Sequence, residues 1–502
     1  MNTILARHML ASAMLAALCG STSVFAVDGN EQQLLQLASE GKTAEALALV
    51  GRNTDVTQSQ ADGTTALHWA IYYNDAELAK KLIRQGADVK VKNEFGATPM
   101  AQAALTGNVD IIKLLLDAGV YADERGADDQ TPLMVLARTP NTKAVELLIK
   151  EGADVNAVEK WRGQTALMWA AAQKQPAMVQ LLIAKGANIN ARSLPNNWER
   201  QVSSEPRMKI LPPGQMSALH YATREGCTEC VAALIKAGAE LNITEGDGVT
   251  PLVMAGLNAR WDSMKLLLEA GANPDKWDVY GRNPLYMVVD YNTLPHGGRA
   301  DKLSSDLATP LEIAELILAK GGNVNLQLKL FPPYRALGPD RGADGLLKTG
   351  VTPLFRAARG GDKDMVELLL KHGALIELPN EDGVTPLIVA AGYRQSAIDT
   401  RGKFRTEKQA FEATKLLLDG GADVNAVESS GQTAIFGAAT NGWNIVVQLL
   451  ADNGADLTHV DVNGKNPVDA AMGRAGLFGR GSGGEQHVET AALIEQLIAA
   501  RK

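Results

Sequence analysis

Thr65-Ala66-Leu67-His68-Trp69-Ala70 is answered downstream by Thr98-Pro99-Met100, Thr131-Pro132-Leu133 and Thr165-Ala166-Leu167, at steps of 33, 33 and 34 residues. The series runs on through Ser217, Thr250, Asn283, Thr352, Thr385, Thr433 and Asn466, and six of its ten steps are 33. A second marker keeps its own register: Gly86-Ala87-Asp88-Val89, Gly152-Ala153-Asp154-Val155-Asn156, Gly421-Ala422-Asp423-Val424-Asn425. Asp55-Val56 stands 33 residues ahead of Asp88-Val89, so a degenerate unit precedes the first marked one. Eleven marked units and one atypical leading unit follow from that count.

Each marker has a physical role. A Thr hydroxyl caps a free backbone N–H at a helix start, and Pro at the first helical position loses nothing. Glycine closes a second helix, because only a residue without Cβ takes the left-handed conformation cheaply. Apolar runs at helical spacing lie between them, such as Leu114-Leu115-Leu116 and Leu266-Leu267-Leu268. Every unit is therefore two short helices and a turn, too small to bury its own apolar face. Stacking the units supplies the core.

The pattern resembles the ankyrin repeat, with its 33-residue period and Thr-Pro-Leu-His-x-Ala signature. The resemblance covers roughly residues 30 to 500, although the signature His survives only at His68 and His220. It implies an all-α solenoid of about twelve helix-turn-helix units with enlarged finger and inter-helix loops. It also implies protein–protein interaction through the fingers and first helices. The expected organisation is a signal peptide over 1–26, then a solenoid over 27–502. Within it, 27–61 is the degenerate unit, 62–472 the repeats and 473–502 a C-terminal capping helix region.

Composition agrees and narrows the classes. With 46% hydrophobic and 21% charged residues the chain is globular, and its 48 glycines become turns and helix ends. The balance of 49 basic against 57 acidic residues gives −8, with no basic block, so nucleic acid is not the expected partner. At the start, Arg7, an apolar stretch over 9–18 and Val24-Phe25-Ala26 have the layout of a cleavable export signal. Cys19 could instead be acylated, but Leu18 stands where lipoprotein signals carry Gly or Ala. Cleavage after Ala26 removes one charged residue, Arg7, and takes the chain to −9. The mature protein is expected to be a bacterial exported chain, periplasmic or secreted, monomeric and without a membrane span.

Function should lie where the repeat is broken. Insertions fall at about 192–212, 294–308, 326–348 and 393–408, the first and third enlarging fingers. Both finger insertions combine Pro-Pro with aromatics and cations, and segments 192–215, 326–348 and 393–410 together carry seven net positive charges on an otherwise acidic chain. Exposed Trp, Tyr and Arg dominate binding hot spots. Candidate partner-binding residues are therefore Trp161, Trp198, Arg200, Lys209, Trp277, Phe331, Tyr334 and Arg335, flanking the concave face. The alternative is that these loops pack their aromatics on the solenoid.

Candidate chemistry is sparse. Cys227-Thr228-Glu229-Cys230 is the one cysteine pair beyond the signal, placed by register at an inter-helix turn and the first turn of a second helix. A structural disulfide or two packed thiols is the expected state, and an exported compartment favours oxidation. A redox role is the alternative, although no strand–helix pattern of thioredoxin type surrounds the pair. Zinc would need two more ligands that no nearby His or Cys supplies. Gly479-Arg480-Gly481-Ser482-Gly483-Gly484 matches a dinucleotide fingerprint in letters, but a helix rather than a strand precedes it. His68 and His220 occupy the repeat signature, where they tie neighbouring units together. No catalytic residues, metal or cofactor are expected. The reading is an exported scaffold without chemistry, with a redox accessory or a secreted effector binding host proteins as alternatives.

Overall fold

The computed structural model describes residues 29–51, 54–196, 214–293, 304, 306–330, 345–395, 405–473 and 486–501. Among them there is no strand, only two isolated β-bridges, and twelve helix pairs follow one another along the chain. The chain divides into two compact units, Met1–Pro132 with Glu146–Ala153, and Leu133–Val145 with Asp154–Lys502. The first holds the leading pair Gly29–Ser39 and Thr43–Leu49, then Ala66–Tyr72 with Ala76–Arg84, and Pro99–Thr106 with Val109–Asp117. The second holds eight full pairs, from Ala166–Ala172 with Pro176–Ala184 to Pro467–Met472 with Val488–Ala500. The chain is an all-α ankyrin-type solenoid.

Caps fix where each pair begins. Thr98 accepts the amide of Ala101 at 3.1 Å, Thr352 that of Phe355 at 3.1 Å, and Asn283 that of Tyr286 at 2.8 Å. At the two signatures that keep the histidine, it extends the cap into the next repeat. His68 Nδ1 accepts the Thr65 amide at 3.2 Å and its Nε2 lies 3.1 Å from the Ala97 carbonyl oxygen. His220 does the same between Ser217 and Val249, at 3.2 and 3.0 Å. These partners require the neutral ring with its proton on Nε2. Burial favours that form and pushes His220 down to about 4.

The second marker also spans repeats. Asn156 Nδ2 donates to the Gly186 carbonyl at 3.1 Å, and its Oδ1 accepts the Asn188 amide at 2.7 Å. Asn325 makes the same pair of bonds to Gly373 and Leu375, although an insertion lies between them. The stack therefore continues past the insertion without a change of register. Gly86 and Gly421 stand at φ of 92° in open space, so backbone handedness rather than crowding demands glycine there.

The core is what stacking buries. Leu67, Leu78 and Leu115 in the first unit are fully buried, as are Leu182, Leu234, Leu267, Phe355 and Phe436 in the second. Described ends of the insertions join this core: Leu328, Leu346, Leu347 and Tyr393 are buried as well. Just before Thr309 the chain docks on a neighbouring helix start: Asp262 accepts the amides of Leu307 and Ala308 at 3.0 and 2.9 Å. Arg405, at the end of another insertion, donates to the carbonyls of Ala358 and Val389, at 3.0 and 3.1 Å.

Candidate protein-interaction surface

Between repeats the chain makes a tight hairpin turn, the finger, and an acidic or amide residue anchors most of those described. Asn93, Glu245, Asp278, Asn380, Glu428 and Asp461 each donate their amide to the carbonyl four residues on. Their side chains accept amides from within the turn, as Glu245 does from Asp247 and Val249 at 2.9 and 3.1 Å. Finger 159–164 departs from this rule. Glu159 donates to Gln164, five residues on, so the turn is one residue longer. That extra residue accounts for the single 34-residue step in the repeat series.

The longer turn is tightly held. The buried Glu159 carboxylate accepts the amides of Trp161 at 2.6 Å, Arg162 at 3.0 Å and Gln164 at 2.9 Å. Such charge-assisted bonds are about twice as strong as neutral ones. Gly163 (φ 63°) closes the turn, and a Cβ there would come within 2.7 Å of Leu194 Cγ. The result is a rigid presentation of Trp161, whose side chain is 78% exposed. Beside it Val158 and Leu194 are 50% and 47% exposed, and Lys160, Arg162 and Arg192 are exposed as well.

Successive fingers in the second unit are joined by backbone bonds. Leu194 donates to Arg162 at 2.7 Å, Val279 to Asp247 at 2.9 Å, Lys329 to Tyr280 at 2.9 Å and Glu381 to Thr349 at 3.0 Å. The two finger insertions leave this ladder through paired necks. Ser193 donates to Met216 and Gln215 to Leu194, at 3.0 and 3.2 Å, and Pro195 bridges Gly214. Leu328 donates to Val351 and Gly350 to Leu328, both at 2.9 Å. Arg192 steadies the first neck by donating to the Gln215 carbonyl at 3.2 Å and to the carbonyl of Thr244 on the next finger.

The candidate residues separate accordingly. Trp161 and Trp277 sit on fingers of the second unit. Trp198, Arg200, Lys209, Phe331, Tyr334 and Arg335 lie outside the described residues. Trp277 is 44% exposed, and the Lys329 ammonium stands 4.2 Å over its ring centroid. Its finger is anchored by an ion pair: Asp278 accepts Arg282 Nε at 2.6 Å and both groups are largely buried. Sequence reasoning missed Val158, Leu194, Arg162 and Arg192 as neighbours of Trp161. It also missed the anchors, which had a signal: an acidic or amide residue five positions before the capping Thr or Asn, six in the longer finger.

One anchor titrates unusually. Burial pushes Glu245 up to about 7, and the neighbouring Asp247 and Asp278 charges push the same way. Cys227 and Cys230 are joined by a disulfide, and both are buried. Cys227 is the residue before the helix Thr228–Lys236, where its sulfur accepts the Cys230 amide at 3.3 Å. Asp75, Asn108 and Asp362 hold the same position in other repeats and cap with oxygen. A covalent staple thus occupies a capping site. Among the described residues no group of three or more His, Cys, Asp or Glu is placed to hold a metal ion. No helix among them is long and apolar enough to cross a membrane.

Comparison with known families fits this geometry. A family model described as ankyrin repeats (3 copies) matches residues 34–125, 119–193, 219–296 and 305–399. The chain belongs to the ankyrin repeat family. The ankyrin chain is 29% identical over 232 residues to human transient receptor potential cation channel subfamily A member 1, covering 46% of itself and 17% of that protein. It is 30% identical to human ankyrin repeat and SOCS box protein 16, over 54% of its own length and 51% of the relative's. A rice protein named probable E3 ubiquitin-protein ligase XBOS32 is also 30% identical, over 36% and 35% of the two chains. The ankyrin chain therefore spans about half or less of the length of these curated relatives. Among solved structures, the human ASB11 ankyrin repeat domain matches with a TM-score of 0.39 at 20% identity, covering 47% of this chain and 96% of that one.

Proposed function

We propose that this ankyrin repeat protein is an exported scaffold without catalytic chemistry, binding a protein partner through its fingers and inner-helix face. One observation carries the reading: Trp161 is held 78% exposed on a finger whose turn the buried Glu159 pins from beneath. A large aromatic fixed in water by a rigid turn is a hot-spot type awaiting a partner, since its presentation entropy is already lost. Export rests on the layout of residues 1–26, and places the partner in the periplasm or outside the cell. A redox function gains no support from Cys227 and Cys230, which are 3% and 0% exposed and fill a structural capping position.

The test is photo-crosslinking in the exporting cells, with a benzophenone side chain at Lys160 and, as control, at Lys236 on an outer helix. The proposal expects a discrete adduct from position 160 that persists in a form lacking 331–344 and weakens in one lacking 197–213. Recovery of the same adducts from both positions, or of none from 160, contradicts it.

A further inference from the structure

Finger 159–164 differs from the other anchored fingers in length, and the surface it builds has a consistent chemistry. Val158, Trp161 and Leu194 present apolar surface to water on two fingers joined by the bond from Leu194 to Arg162. Lys160, Arg162 and Arg192 stand among them, all exposed. The one acidic residue in 158–163 and 192–195 is Glu159, and it faces inward with its oxygens taken by turn amides. Arg192 bonds to carbonyl oxygens of Gln215 and Thr244, neutral acceptors that leave its positive charge in place. An otherwise acidic chain, at −8 overall, thus carries here an apolar patch rimmed by three cations.

We infer that fingers 158–163 and 192–195 form a docking surface for an acidic protein segment bearing one aromatic or branched apolar side chain. The inference rests on the scaffold reading above and names the partner's chemistry. The apolar side chain would lie against Trp161 and Leu194, where desolvation supplies most of the affinity. Carboxylates around it would meet Lys160, Arg162 and Arg192, which set the orientation and speed the encounter. A basic segment would set like charge against Arg162 and Arg192, and would be rejected by that mismatch.

The test is selection from a random displayed-peptide library on the full chain at low salt, followed by binding of the enriched peptides to the Trp161→Ala and Arg162→Glu variants. Both substitutions are on exposed positions, so thermal unfolding should be unchanged in each. The expected result is a consensus rich in Asp and Glu around a Phe, Trp or Leu. Its affinity should fall at least about tenfold in Trp161→Ala and several-fold between 0.05 and 0.5 M salt, as screened charges require. Enriched peptides without an acidic excess, or equal binding to Trp161→Ala, overturn the inference while leaving binding elsewhere on the scaffold intact. Displacement of the acidic peptide by single-stranded DNA at comparable concentration also overturns it, since stacking bases would then use the same Trp and cations. A selection yielding no peptide at all contradicts both this inference and the scaffold reading.

Discussion

Among the described residues two fingers of the second unit carry tryptophan, and they hold it differently. Finger 278–282 has the ordinary length; its anchor Asp278 is paired with Arg282, and Lys329 from the following finger stands over Trp277. Finger 159–164 is one residue longer, its anchor holds only backbone amides, and Trp161 stands 78% exposed against 44% for Trp277. The shorter finger has settled its aromatic within the array. The longer one leaves its aromatic open to water. A single added residue in a repeat of 33 accompanies that difference in exposure, with an anchor holding the turn.

The comparison can be broken first at the ion pair. Arg282→Ala strands the Asp278 carboxylate, which is 1% exposed, and should destabilise the chain by on the order of 3 kcal/mol in urea unfolding. Arg162→Ala on the longer finger should change stability by less than about 0.5 kcal/mol, because no buried charge depends on it. Equal costs would remove the distinction between a settled and a presenting finger. Next comes Glu159→Ala, which deprives three amides of their acceptor; a loss of about 2 kcal/mol is expected. Partner binding at Trp161 should weaken in the same variant, measured by titration well below the unfolding midpoint.

Reducing the Cys227–Cys230 disulfide sharpens the contrast from the side, since it lies on neither finger. A loop this short stabilises by roughly 2 kcal/mol in the chain-entropy estimate. Dithiothreitol should therefore lower the unfolding midpoint and leave binding at both fingers unchanged. A pH-dependent effect belongs to Glu245, on a finger between the two. Its folded value of about 7 lies above the ordinary 4.5, so the folded state holds the proton more tightly between those pH values. This group's contribution to stability is present below pH 4.5 and is lost as pH rises to 7. Glu245→Gln keeps one acceptor oxygen for both amides, and its stability relative to wild type should be higher at pH 8 than at pH 5. His220 acts oppositely, losing its contribution as pH falls from 6.5 to about 4.

Much of the fold was legible because the repeat writes each helix start and end in residues with one physical use. Thr98 before Pro99 and Gly86 after a leucine-rich run need no neighbours to be understood. Register then placed Trp161 and Trp277 on fingers, and placed Cys227 at an inter-helix turn. Contacts that cross repeats were not legible. Nothing near Trp277 in sequence announces that Lys329, 52 residues on, will lie over its ring. The 34-residue step was visible, but only the bond from Glu159 to Gln164 puts the extra residue in the turn itself. Arg192 reaching Thr244 across 52 residues is a third case, where an insertion separates partners that stacking brings together.

The most direct test is the dissociation constant of one acidic peptide, enriched on the full chain, against wild type, Trp161→Ala and Trp277→Ala at a single salt concentration. A loss of at least about tenfold for Trp161→Ala, with less than about threefold for Trp277→Ala, is the predicted result. Equal losses from the two substitutions, or a larger one from Trp277→Ala, would contradict the account.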